Sequence, residues 1–239
     1  MNIPILMYHQ VDTTEPKGTK LRGLTVSPQS FANQMALIKL FGYRGLSMRE
    51  LEPYLTGQKT GKVVGITFDD GYRNNLLNAL PALRKNGFSA TCYGVSTQIN
   101  GSNTWDEHLG IRQKPLMSKE DWAEWQRNGM EIASHGRTHS DLTQMSEAQA
   151  IEEIERSKQE LEDEFKCSVR HFCYPYGHYS DSHLEMVKKA GYVTATTTNR
   201  GRVHAGHNPF ELKRIMVARA CNWLQFSMKI LTAYEDKRS

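Results

Sequence analysis

Val63-Val64-Gly65-Ile66-Thr67-Phe68-Asp69-Asp70-Gly71-Tyr72 is an apolar run that ends on two carboxylates and a glycine. Near-continuous apolarity reads as a strand buried on both faces, as in parallel sheets. Asn75–Lys85 follows with Leu76, Leu77, Leu80 and Leu83 at helical spacing and stops at Gly87. The segment is therefore a strand–loop–helix unit with Asp69 and Asp70 at the strand's carboxyl end.

The same alternation extends in both directions. Further apolar runs read as strands at Ile3–Tyr8, Ala90–Val95, Glu131–Ser134, His171–Tyr174, Val193–Thr197 and Ile215–Ala218. Between them lie helical patterns. Pro28–Leu40 opens with Ser27 as N-cap and Pro28 at the first helical position, and Gln149–Phe165 places Ile151, Ile154, Leu161 and Phe165 at helical spacing. Ser182–Ala190 ends at Gly191. The charge run of Gln149–Phe165 reads as a solvated face. Strand and helix alternate about seven times, which implies an α/β fold with a parallel sheet, open or closed into a barrel.

Composition narrows the class. The chain has 239 residues, 38% of them hydrophobic, enough for one sizeable core, and a single domain over residues 1–239 is expected. Net charge is +4 without any basic run, so no nucleic acid is expected as a partner. The four cysteines form no CxxC pair and read as free thiols. No stretch approaches the ~20 apolar residues of a membrane span. Met1–Tyr8 lacks the basic start of a signal peptide, so the expectation is a cytoplasmic protein, or a periplasmic or extracellular one if a leader has been removed. Oligomeric state leaves no trace in the sequence.

Three segments carry chemistry, each at the end of an expected strand, where parallel α/β folds build their sites. Adjacent Asp69 and Asp70 are costly without a cation or proton between them, and one can bind a metal while the other takes a proton. In Ala133-Ser134-His135-Gly136-Arg137-Thr138-His139 the two imidazoles are four apart, which in a helical turn puts both on one side, within reach of one metal. Gly136 follows His135 where a zinc protease needs Glu, so that class is disfavoured. Tyr174-Pro175-Tyr176-Gly177 reads as a tight loop presenting Tyr176 at its tip. Tyr8-His9 closes the first strand and should lie on the same face. Among the tryptophans, Trp105, Trp122, Trp125 and Trp223 could include a sugar-stacking surface, while the spacing of Trp122 and Trp125 favours core packing.

The order TFDDGY, SHGRTH, YPYG, with the opening Pro4-Ile5-Leu6-Met7-Tyr8-His9, resembles the polysaccharide deacetylase family with the NodB-homology domain (carbohydrate esterase family 4) over roughly residues 1–220. The YPYG turn brings it nearest to the subgroup acting on poly-β-1,6-N-acetylglucosamine. The resemblance implies a distorted (β/α) barrel with about seven parallel strands and hydrolysis of N-acetyl groups from an N-acetylated sugar polymer or glycan precursor, releasing acetate. It makes Asp69 the general base and Asp70, His135 and His139 the ligands of one divalent metal: zinc first, with cobalt, nickel, manganese or iron able to occupy the set. It assigns the Tyr176 backbone N–H to the oxyanion and leaves His9, Tyr72, Ser134, Thr138 and Pro175 in substrate-binding or supporting positions.

Two departures stand out. The Arg that many members place before the Pro-rich turn to orient the base is replaced by the stretch Phe172-Cys173-Tyr174, and the late His used as general acid is replaced by Lys213 and Arg214. Arg214 is a candidate for orienting Asp69, although a position just before the expected strand Ile215–Ala218 faces away from the site. His204 and His207 read as surface residues. The alternatives are an O-acetyl esterase acting on a polysaccharide and a non-catalytic, metal-dependent carbohydrate-binding protein.

Overall fold

Burial on both faces is satisfied by closing the sheet. The computed structural model describes residues 2–204 and 206–238. Seven parallel strands, β1 (Ile5–Tyr8), β2 (Val63–Phe68), β3 (Thr91–Gly94), β4 (Glu131–Ser134), β5 (His171–Cys173), β6 (Thr194–Arg200) and β7 (Leu212–Met216), follow one another in sequence order around a barrel. Closure comes from β7 pairing with β1, with Ile215 opposite Leu6 and Met216 opposite Met7. The open-sheet alternative is thus excluded. A short strand, Arg44–Leu46, adds to the lower half of β2.

Seven helices surround the barrel: α1 (Pro28–Leu40), α2 (Met48–Leu55), α3 (Leu80–Asn86), α4 (Lys119–Arg127), α5 (Glu147–Phe165), α6 (Asp181–Lys189) and α7 (Trp223–Leu231). Ser27 caps α1 by accepting from the Ser30 N–H, as its sequence suggests. None of the described helices is long and apolar enough to cross a membrane.

Strand alternation separates two cores. Val64, Ile66 and Phe68 of β2 face outward and join Phe31 and Met35 of α1 and Trp125 of α4. Phe68 meets the rings of Tyr8, Phe31 and Trp125 at 5.6, 5.7 and 5.8 Å. Removing a buried Phe typically costs about 3–5 kcal/mol, so this cluster fixes the strand that ends at Asp69. Val63 faces inward with Ile5, Tyr93, Ala133, Cys173 and Leu212, and Met48 and Leu51 of α2 plug the barrel's lower end.

Most boundaries shift by one to three residues, and two differences from the sequence reading bear on the site. The last strand is Leu212–Met216 rather than Ile215–Ala218. Lys213 and Arg214 interrupt the apolar pattern, and Arg214 lies inside the barrel, paired, where only tertiary structure can accommodate it. The expected helix Asn75–Lys85 begins as a π-helical turn, Asn75–Ala79, before α3. Pro81 has no N–H to give to that turn, and the Asn75 side chain is engaged elsewhere, donating to the His9 carbonyl and accepting from the Val11 N–H.

At the lower end Arg170 makes a bidentate pair with Glu52 of α2, at 2.8 and 2.7 Å, and the buried His171 Nε2 lies 3.2 Å from Glu52 Oε1. Hydrogen bonds from Arg170, and then the nearby His171 imidazole, hold the Glu52 carboxyl down to about 2, from an ordinary 4.5. A carboxyl held low in the folded state adds stability above its unfolded value and loses it as pH falls through its folded one. Because the pair is open to water, its contribution is about 1 kcal/mol. Glu52→Gln should therefore lower stability by about that amount at pH 7, and the difference from the native chain should shrink as pH falls from 4.5 towards 2. Urea unfolding across that range measures it.

Candidate active site

The inward-facing series of β2 continues beyond the strand, so Asp69 points into the barrel mouth. Its N–H donates to the Tyr8 carbonyl of β1. Asp69 and Arg214 are both buried, and the Arg214 guanidinium takes both carboxylate oxygens, Nη1 to Oδ1 at 2.7 Å and Nη2 to Oδ2 at 2.8 Å. Arg214 also donates to the Thr197 carbonyl, Thr67 Oγ1 and Cys173 Sγ, and lies over the Tyr93 ring. Burial pushes the Asp69 carboxyl up, but Arg214 overrides it and holds Asp69 below its usual range, ionised. Arg214, the sequence candidate for orienting Asp69, thus lies against it, and the expected orientation away from the site does not apply because it sits within β7 and not before it.

Asp70 turns out of the strand direction with φ +74°. The turn then needs Gly71, at φ +79°, where a Cβ would come within 3.0 Å of the Trp122 indole. Asp70 Oδ1 lies 3.3 Å from both His135 Nε2 and His139 Nε2. The helical turn expected for the histidines is replaced by a loop. His135 directly follows β4, and His139 has φ +61°. Convergence therefore comes from backbone bends in place of helical periodicity.

That loop is braced from α5. Buried Glu153 accepts from the N–H groups of Arg137 and Thr138 and from Thr138 Oγ1, each at 2.9 Å. Ser134 Oγ accepts from the Gly136 N–H and donates to Ser157 Oγ. The α5 charges, read from sequence as a solvated face, thus include one residue that shapes the site. Its signal, an acidic residue at a helical position facing the apolar stripe, was hidden in the charge run.

The cluster has the character of a cation site. Ligand atoms of Asp70, His135 and His139 lie within 4.8 Å of one another, and Asp70 Oδ1 is buried without a hydrogen-bond partner. His135 Nδ1 lies 2.8 Å from the Cys173 carbonyl, so it carries the proton and leaves Nε2 free to ligate. Asp69, His135 and Cys173 also cluster, but Arg214 already engages both Asp69 oxygens. Burial raises the Asp70 carboxyl, and the two imidazoles 3.3 Å from it bring it well below its ordinary value.

A cavity of about 290 Å³ opens over these groups and is also lined by His9, Tyr72, Trp105 and Tyr176. His9 Nε2 lies 4.0 Å from Asp69 Oδ2. Tyr176 sits at the tip of the Pro175–Gly177 turn with φ +59°, and its ring meets His139 edge-on at 4.7 Å. Gly177 has no alternative there, since a Cβ would fall 2.1 Å from Thr198 Oγ1. Trp122 and Trp125 are core residues and Trp223 is exposed. His204 lies at the barrel's other end, beside a depression shared with Ile3 and Tyr54.

Trp105 comes from a short 3₁₀ helix, Thr104–Leu109, without periodic apolar signal. Its ring stacks on His139 at 4.4 Å and 16°. A ligating His usually has its second nitrogen held by a hydrogen bond, yet buried His139 Nδ1 has no partner. The ring's orientation is instead held by packing between Trp105 and Tyr176. Trp105→Leu should weaken zinc binding roughly tenfold, the lower scale for losing such support, whereas Trp105→Phe should restore most of it. Competition with a chromophoric chelator reads this without any assay of activity.

The comparisons with known proteins agree with this geometry. A family model described as polysaccharide deacetylase matches residues 56–195. YxkH of Bacillus subtilis, classed by name with the polysaccharide deacetylases, is 30% identical over 218 residues, 90% of this chain and 71% of its own length. The poly-β-1,6-N-acetyl-D-glucosamine N-deacetylase of Staphylococcus aureus is 27% identical over 214 residues, 83% of this chain and 70% of its own. The Streptococcus pyogenes deacetylase PplD, solved in complex with acetate, aligns with a TM-score of 0.83 and 27% identity over 96% of this chain and 98% of that one. A match across more than half the sequence and a relative of this likeness over most of its length lead to one conclusion: the chain belongs to the polysaccharide deacetylase family.

Proposed function

We propose that this protein is a divalent-metal-dependent N-deacetylase of N-acetylated sugars. The observation that carries the reading is the buried triad Asp70–His135–His139 beside a separate, ionised carboxylate, Asp69. A binding protein needs no such second carboxylate. The Staphylococcus relative is named as an N-deacetylase, which supports an amide over an ester as the bond cleaved.

A divalent cation held by the triad would supply Lewis-acid polarisation of the acetyl carbonyl and a lowered water pKa, with zinc best suited to two imidazoles and one carboxylate. The side chains do the rest. Asp69 accepts a proton from the attacking water at Oδ2 while Arg214 keeps its carboxylate ionised and in plane. The Tyr176 backbone N–H, at the tip of its turn, donates to the oxyanion. Among the described residues lining the cavity, His9 is the imidazole outside the triad. It takes the place of the absent late histidine and delivers a proton to the departing amine. The Asn75 side chain, donating to the His9 carbonyl, fixes the backbone of that donor. One water and one amide become acetate and a sugar amine.

The direct test is acetate release from β-1,6-linked N-acetylglucosamine oligomers and from O-acetylated xylan, after chelation and after zinc is restored. Zinc-dependent release from the oligomers is the expected result. Release from xylan alone, or release indifferent to zinc, would overturn the reading. Asp69→Asn and His9→Gln should each retain zinc while losing roughly 10²-fold or more in turnover, whereas Asp70→Ala should lose both. Elemental analysis alongside turnover separates the two groups, and full zinc in Asp70→Ala would remove the triad from consideration.

A further inference from the structure

Two loops form the outer mouth of the cavity, residues 15–24 and 105–114. They bring Lys20, Arg22 and Arg112 to its wall beside Leu21, Leu109 and Ile111. Lys114 is also present but is neutralised, with Nζ 2.7 Å from Glu15 and 3.2 Å from Asp12. Arg22 donates Nε to the Glu15 carbonyl, which leaves its charge unmatched. Lys20 and Arg112 have no carboxylate partner among the described residues. Of the acidic groups on the wall, Asp69 is matched by Arg214, Glu15 shares Lys114 with Asp12, and Asp70 belongs to the triad with the two imidazoles. Asp106, also on the wall, is buried and held by Asn103. The outer mouth therefore presents three cations without a carboxylate partner among the described residues, and a divalent cation in the triad would offset Asp70 and leave their charge unopposed.

The apolar part is equally unexplained by a neutral sugar chain. Leu21 is 47% exposed and takes φ +55°, a strained backbone for a leucine. Sugar rings are usually met by aromatic faces and hydrogen-bonding side chains. Here the mouth beyond Trp105 and Tyr176 offers aliphatic groups and guanidinium forks, which suit an anion carried on an apolar group.

We propose that the acetylated sugar taken by this site carries a phosphate ester, bound by Lys20, Arg22 and Arg112, with an alkyl group beyond the phosphate lying against Leu21, Leu109 and Ile111. The proposal rests on the deacetylase reading above and names its substrate class. The phosphate ester is bound and stays intact. Water still cleaves the amide, acetate leaves, and the product is a sugar carrying both an ammonium and a phosphate.

The test uses the zinc-loaded full chain and acetate release from N-acetylglucosamine 1-phosphate, its decyl phosphodiester, neutral decyl N-acetylglucosaminide and the β-1,6-linked N-acetylglucosamine trimer. The expected result is a kcat/KM roughly tenfold higher for the decyl phosphodiester than for either neutral compound, carried in KM. That preference should fade between 0.1 and 1 M salt, as the screening length falls from about 10 Å to about 3 Å. The double variant K20Q/R112Q should reduce the preference to within roughly threefold. K188Q, on the outer surface of α6, should leave it unchanged. Equal kcat/KM for the two phosphorylated sugars would keep the phosphate site and overturn the apolar contact. Neutral compounds turned over as well as phosphorylated ones, without salt dependence, would overturn the proposal while leaving the deacetylase reading intact. Acetate from none of the four would overturn both.

Discussion

A guanidinium and a carboxylate meet inside the barrel, and the active site is built around that meeting. Neither Arg214 nor Asp69 could be buried alone. Desolvating an unpaired charge costs several kcal/mol, and breaking a buried pair typically costs about 3–5 kcal/mol. The bidentate geometry also ties β7 to β2 across the lumen, with Thr67, Thr197 and Cys173 completing the guanidinium's hydrogen bonds. Apolar residues of similar volume would stabilise the barrel as well. The pair's value lies in holding one carboxylate ionised and oriented at the mouth, beside but not within the cation site. The stretch Phe172-Cys173-Tyr174 before the Pro-rich turn carries no Arg, and the guanidinium that orients Asp69 comes from β7.

The second organising feature is backbone strain, concentrated at the site. Asp70, His139 and Tyr176 all take positive φ, a conformation that costs a non-glycine residue about 1–3 kcal/mol. Each bend aims a group at the cavity. Compensation comes from the surroundings: Trp122 packed under Gly71, Glu153 accepting from the histidine loop, and Trp105 and Tyr176 against the His139 ring. The barrel rim carries this arrangement, so the donor atoms of Asp70, His135 and His139 are held within 4.8 Å of one another.

Polarity is divided between the two ends of the barrel. The lower end is closed by Met48 and Leu51 of α2 and locked by Glu52, Arg170 and His171. The upper end is open, lined by the chemistry-bearing side chains and bounded by two loops whose residues match no regular pattern. Lower-end polar groups lie against one another, with His171 Nε2 3.2 Å from Glu52 and 3.4 Å from Glu131, although Glu131 Oε1 and His171 Nε2 make no hydrogen bond of their own. At the upper end the unpartnered atoms, Asp70 Oδ1 and His139 Nδ1, belong to side chains that converge on the open cavity.

Much of this was legible in the residues themselves. Apolar runs with the periodicity of buried strands, Ser27 and Pro28 at a helix start, and Gly87 and Gly191 at helix ends are local physics, and they predict the alternation of strand and helix. The pairs Asp69-Asp70 and His135/His139 at strand ends were equally visible, because placing such groups together is costly without a purpose. What local pattern could not supply was whether the sheet closes, since closure depends on β7 meeting β1 from opposite ends of the chain. Nor could it locate Arg214, whose charge broke the apolar pattern of its own strand and is tolerated only because Asp69 lies across the barrel. Glu153, Trp105 and Asn75 are similar cases. Each acts through a partner 15 to 66 residues away in sequence, so its role is a property of the folded chain and has no signature in its neighbours.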